Sequence, residues 1–200
     1  MILPAFRRGH HNRNIHALYG AIVAQARSAV FYTRYGVPDT VEGRFELIVL
    51  HLVLVLGRLG RDKVAPGPRW VRRSGQTVGQ RLFDVFCRDL DDNLREMGVG
   101  DLAVPREMRR FGEAFYGRKA AYGAALAATD ERELEKALAR NILGVTGVDE
   151  RVAWLACYAR ATARQLDAEA EDPFVAAETL AGKTLAGKAV FPSPEAFAHG

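Results

Sequence analysis

Residues 47–56 read Leu-Ile-Val-Leu-His-Leu-Val-Leu-Val-Leu, with His51 as the one polar side chain among them. A segment apolar on all sides must be buried on most faces, whichever backbone it adopts. A buried strand and a buried helix both fit so short a run. The surroundings decide between them. No turn signal interrupts the chain from Val41 to Leu59, about 20 residues, and that length suits a helix. Pro38 precedes it, Asp39 or Thr40 can cap it, and Glu42 falls in the first turn, where the helix dipole favours an acid. The apolar run is too short to cross a bilayer, which takes about 20 residues. The segment is therefore predicted to be the central buried helix of a core.

Other apolar residues recur at helical spacing. Ile15, Leu18, Tyr19, Ile22, Val23 and Ala26 form one stripe and predict a helix over residues 13–28, capped by Asn12 or Asn14. Residues 29–35 read as an extended piece or a single helical turn. Val78, Leu82, Val85, Phe86, Leu90 and Leu94 predict a helix over 76–97, capped by Ser74 and stopped by Gly98-Val99-Gly100. Pro105 opens a helix to about residue 122, with Met108, Phe111, Phe115 and Tyr122 inward. Residues 130–143 form a fifth, ended by Gly144. Residues 149–170 form a sixth, with Val152, Leu155, Ala156, Ala159 and Leu166 inward and Pro173 as its breaker. Strand-like alternation is absent. The expected fold is all-α, a single helical domain of about six helices over residues 13–170. A basic Pro/Gly linker interrupts it at 60–75. Residues 1–12 are expected to be a flexible arm. The tail at 171–200, with its repeated Thr-Leu-Ala-Gly-Lys, Pro192 and Pro194, is expected to be loosely ordered.

Charge is unevenly spread. Residues 1–80 hold 12 Lys and Arg against four Asp and Glu, whereas 81–200 hold 16 against 20. Six of the basic residues, Arg58, Arg61, Lys63, Arg69, Arg72 and Arg73, lie in or beside the linker. Such a segment suits an anionic membrane surface or ribosomal RNA; no DNA partner is expected. Cys87 and Cys157 stand far apart among apolar neighbours, without zinc-site spacing, and both are expected to be reduced core residues of a cytoplasmic protein.

No motif of an enzyme is present: no nucleotide cradle, no glycine elbow around a serine, no catalytic cysteine context. Asp84, Asp89, Asp91, Asp92 and Glu96 share one predicted helix and suggest a carboxylate metal site as an alternative. Arg88 and Arg95 stand four residues from acids of that set, so an ion-pair ladder is favoured, and neither metal nor cofactor is expected. His51 is expected to be a hydrogen-bonded core histidine; His10, His11 and His16 fall at the arm. The aromatic–basic run Phe31-Tyr32-Thr33-Arg34-Tyr35 fits either a contact hot spot or the edge of the core. With the basic linker it keeps a ribosome- or RNA-binding module open as a second alternative.

Several spaced stretches resemble one family. They are Tyr19-Gly20 with Val23-Ala24-Gln25-Ala26-Arg27; Phe31-Tyr32; Gly36-Val37-Pro38-Asp39-Thr40; and Gly43-Arg44-Phe45-Glu46. Leu82-Phe83-Asp84, Asp89-Leu90-Asp91, residues 93–101, Met108 and Ala114-Phe115-Tyr116-Gly117-Arg118 follow. Together they resemble the ubiquinol–cytochrome c chaperone family, bacterial relatives of the mitochondrial assembly factor for the cytochrome bc1 complex, over about residues 13–165. The resemblance implies an all-helical, non-enzymatic chaperone that binds newly made cytochrome b. It also implies bc1 subunits as partners, with a second assembly factor and the ribosome as further ones. The inner membrane is a possible peripheral site. Carried onto this chain, it makes Tyr32, Tyr35, Pro38, Asp39 and Arg44 the expected contact surface, with Asp89, Asn93 and Arg95 beside it. Arg44 is expected to pair with an acid of the third predicted helix.

Overall fold

A computed structural model of the chain describes the backbone of residues 3–60, 77–169 and 173–198, and side chains from residue 13 onward except at 173–177. Most of the linker at 60–75 therefore lies outside the described residues, as do the side chains of His10 and His11. Among the described residues the structure is all-α, without strands. The helices are α1 (Leu3–Ala26), α2 (Ala29–Thr33), α3 (Val41–Leu59), α4 (Val78–Glu96), α5 (Val104–Ala127), α6 (Arg132–Leu138), α7 (Glu150–Asp167) and α8 (Pro173–Leu185). One π-helical turn, Ala139–Leu143, extends α6, and a 3-10 turn, Pro194–Ala196, lies near the end.

The predicted central helix is α3. Leu47, Val49, Leu50, His51, Leu52 and Val55 are wholly buried, and Val53, Leu54, Leu56 and Leu59 nearly so. Burial on this many faces is what an all-round apolar helix requires. Truncating Leu50 to Ala is expected to cost about 2–5 kcal/mol, the usual range for a core leucine.

The helix ends follow local chemistry. Thr40 caps α3, its Oγ1 accepting from the Gly43 N–H at 3.1 Å. Asp149 caps α7, accepting from the Val152 N–H at 3.1 Å. Gly144 closes the π turn in the left-handed region at φ 66°, where glycine carries no Cβ penalty. Four expectations are corrected. Thr77, rather than Ser74, caps α4, accepting from the Gln80 N–H at 3.1 Å. Helix α1 starts at Leu3, ten residues before the predicted start at residue 13. Cys157 is exposed and Cys87 only half-buried; with Leu155, Ala156 and Ala159 inward, position 157 turns to the opposite side of α7. Finally, the C-terminal tail is ordered by packing. Leu180 and Ala181 of α8 are buried, as are Val190, Phe191, Pro194 and Ala198 beyond it.

The chain divides into two compact units. One comprises Met1–Ala21, Arg58–Phe111 and Glu169–Val190; in it α8 packs on α4. Tyr19 there sets its ring edge-on to Phe86, at 6.5 Å between centroids. The other comprises Ile22–Gly57, Gly112–Ala168 and Phe191–Gly200, with α6 packed on α7 and the 194–196 turn against α2. Its aromatic centre brings Phe31 against Tyr35, His51 and Tyr158 at 5.4, 5.6 and 5.1 Å.

Candidate partner-binding surface

The turn between α2 and α3 builds the surface. Phe31 and Tyr35 point into the core and are fully buried. Gly36, at φ 70°, reverses the chain, and the Val37 N–H closes the turn on the Phe31 carbonyl at 3.0 Å. Val37 is buried, so the next residues are thrown outward: Pro38, Asp39 and Thr40 are exposed. The Pro38 carbonyl then lies on the first turn of α3, over Gly43. A Cβ at residue 43 would stand 2.0 Å from that oxygen, so only glycine permits this approach.

That seating places Asp39 beside Arg44. The guanidinium Nε donates to Asp39 Oδ1 at 2.7 Å, with both side chains 58% exposed. The bond lowers the Asp39 carboxyl below its usual range and raises Arg44. A pair this exposed adds little to stability. Its geometric effect is to hold two opposite charges side by side, each with hydrogen-bonding capacity to spare. Tyr32 is half-buried and donates its hydroxyl to the Ala26 carbonyl at 3.0 Å. Burial raises its pKa; Arg44 and Arg27 oppose this and Asp39 adds to it, which puts the phenol within the field of the pair. Val41, 55% exposed at the start of α3, adds an apolar side chain beside this turn. Sequence reasoning passed over Val41, because a valine leading into a greasy helix reads as core.

Two expectations change here. Tyr35 is not at the surface: it is fully buried and donates to the Pro194 carbonyl at 2.7 Å, and burial pushes its pKa up to about 12. The acid that meets Arg44 is Asp39, not a carboxylate of α4. Asp39 itself caps nothing, since Thr40 takes that role.

Asp89, Asn93 and Arg95 fall in the other unit, on α4. Asp89 accepts from the Tyr19 hydroxyl at 2.8 Å, and Asn93 donates to the Asp89 carbonyl at 2.5 Å. Arg95 binds Asp91 at 2.7 Å and also reaches Asp101, bracing the turn that leads into α5. The exposed Met97 and Leu102 sit in that connection. Among the described residues no set of three His, Cys, Asp or Glu is arranged to hold a metal. No described helix is long and apolar enough to cross a membrane.

The two stretches Gly43–Glu46 and Ala114–Arg118 meet through a contact that sequence reasoning missed. Arg118 grips Glu46 with two bonds, Nη2 to Oε1 at 2.7 Å and Nε to Oε2 at 3.1 Å. Glu46 is only 8% exposed, and burial raises its carboxyl pKa against the pull of Arg118. Such a two-pronged pair fixes α3 against α5.

Together these features define an all-helical protein whose organised polar groups serve packing and an exposed turn. The sequence matches the family described as ubiquinol–cytochrome c chaperone over residues 33–181. Among solved structures it is similar to the Cbp3 homolog from Brucella abortus, at 35% sequence identity, with 89% of this chain and 94% of that one covered and a TM-score of 0.70. A comparison with curated proteins found no match. The chain belongs to the ubiquinol–cytochrome c chaperone family. It is accordingly an assembly chaperone of the bc1 complex and not an enzyme.

Proposed function

We propose that the client of this chaperone is newly made cytochrome b, engaged through Tyr32, Pro38, Asp39 and Arg44 with Val41 at their edge. The observation that carries this assignment is the exposed Asp39–Arg44 pair. It is held in one geometry by Gly43 and the Thr40 cap, yet an ion pair with 58% of each side chain in water has no structural burden to carry. Charged groups fixed in this way beside an aromatic and an apolar side chain suit recognition of a polypeptide segment. Asp89, Asn93 and Arg95, which belong to the other unit, are proposed as partner-contact residues in their own right. Tyr35 is omitted because it is buried.

A chaperone for this client works on the cytoplasmic side of the inner membrane, where cytochrome b is inserted. The basic linker residues suit an anionic lipid surface or the ribosome, and a second assembly factor fits the same scheme.

The test is Asp39→Ala with Arg44→Ala in cells lacking the wild-type chain. The double variant is expected to keep its melting temperature while assembled bc1 complex falls severalfold. Normal bc1 levels with this variant would rule the surface out.

A further inference from the structure

Residues 191–198, Phe-Pro-Ser-Pro-Glu-Ala-Phe-Ala, lie in a groove of the unit that carries the Asp39–Arg44 turn. The groove holds the segment by its main chain and by its buried side chains. Gln25 Nε2 donates to the Pro192 carbonyl at 3.1 Å, Tyr35 Oη to the Pro194 carbonyl at 2.7 Å, and Arg34 Nη1 to the Ala198 carbonyl at 3.2 Å. Aromatic contacts fill the space between. Phe191 meets His51 edge-on at 5.3 Å, and Phe197 meets Tyr158 at 5.9 Å. Ser193, between the two prolines, has φ −64° and ψ 124°, close to polyproline geometry.

The chain is extended only around Ser193, and Pro194–Ala196 then forms a 3-10 turn. Proline offers no N–H, so a Pro-x-Pro segment presents carbonyls, and an aromatic-lined groove with side-chain donors reads them. Three side-chain donors converge on carbonyls of this one segment. The family match ends at residue 181, so it includes Arg34, Tyr35, His51 and Tyr158 of the groove but not the segment inside it. The outward residues Ser193, Glu195 and Ala196 are exposed, as are Lys188 and Ala189 just before the segment.

We propose that residues 191–198 are a displaceable ligand bound in cis, and that the same groove takes in trans an aromatic–proline segment of a partner polypeptide. A tethered segment competes at an effective concentration in the millimolar range. A free peptide is thus excluded until the tail lets go. Apparent affinity in trans scales with the fraction of open groove.

The experiment uses the full chain and a fluorescein-labelled peptide of residues 189–198, with binding read by anisotropy. Phe191→Ala with Phe197→Ala loosens the cis segment without altering a groove donor. This variant is expected to bind the peptide at least about tenfold tighter than the wild-type chain. Adding Tyr35→Phe should weaken that binding, and a peptide with both prolines replaced by alanine should not bind. Equal binding by the wild type and a folded double variant would overturn the proposal. So would tail-exchanged dimers without peptide capture. Should the double variant fail to fold, hydrogen exchange of the wild-type chain decides. Amides of 190–198 that exchange well ahead of α7 support a displaceable segment, whereas exchange only together with α7 overturns it.

Discussion

His51 has its protonation state dictated from both sides of the ring. Its Nδ1 lies 2.7 Å from the Leu47 carbonyl, which can only accept, so Nδ1 carries the proton. Its Nε2, 2.7 Å from the Tyr158 hydroxyl, must then accept. Gln25 Nε2 donates to the same hydroxyl at 2.9 Å, so the chain of donors runs Gln25 to Tyr158 to His51 to Leu47. A second proton on His51 would set two donors against each other at Nε2 and charge a fully buried ring. Burial lowers its pKa from 6.5 to about 4, with the Leu47 bond opposing only in part. The sign follows from linkage. Below pH 6.5 the unfolded chain binds a proton that the folded chain refuses, so stability falls as pH falls. The loss approaches 1.4 kcal/mol per pH unit and levels off near pH 4. Between pH 7 and pH 5 this gives roughly 2 kcal/mol. Glu46, with a raised pKa, acts in the opposite direction at the lower end. The quantity to read is therefore the difference between wild type and His51→Phe. Urea unfolding followed by circular dichroism at pH 7, 6 and 5 should show the wild type losing about 2 kcal/mol more than the variant. Parallel pH dependence in the two chains would refute the assignment of a neutral, relayed His51.

Three further substitutions test the packing that supports the surface. Tyr158→Phe leaves the buried His51 Nε2 without a donor and should lower the unfolding free energy by about 1–3 kcal/mol in urea titrations at pH 7. Gly43→Ala puts a methyl against the Pro38 carbonyl, so the turn must shift; a loss of about 1–3 kcal/mol is expected in thermal unfolding, together with loss of client binding. Arg118→Ala strands Glu46 in a mostly dry site and should cost about 2 kcal/mol, less than a wholly buried pair because Arg118 is partly exposed. Adding Glu46→Leu to that variant should recover much of the loss in the same assay.

The helices were legible wherever one element's own pattern decides the outcome. The ten-residue apolar run fitted a strand as well as a helix, but the uninterrupted length from Val41 to Leu59 decided for a helix, and Pro38-Asp39-Thr40 announced its start. Inward positions such as Leu155, Ala156 and Ala159 followed from spacing, although the same spacing should have turned Cys157 outward. What remained hidden depends on partners remote in sequence. Glu46 and Arg118 are 72 residues apart, and nothing local marks either as half of a pair. Tyr35 looked like a surface tyrosine because its hydroxyl needs a partner, and that partner is a carbonyl 159 residues away. The tail looked loose for the complementary reason. Its repeat and prolines form no pattern of their own; α8 is ordered by packing on α4, and residues 192–198 by Gln25, Arg34 and Tyr35. The turn at residues 36–40 was legible in sequence, but the pairing of Asp39 with Arg44 was not, since an acid five residues from an arginine across a helix start has no standard register.

Crosslinking in cells tests the central claim most directly. A photoreactive residue at Val41, exposed beside the Asp39–Arg44 pair, should attach the chaperone to cytochrome b during synthesis of the bc1 complex, and Asp39→Ala with Arg44→Ala should abolish that product. Crosslinks from Val41 that never include cytochrome b, while assembly proceeds normally, would contradict the account.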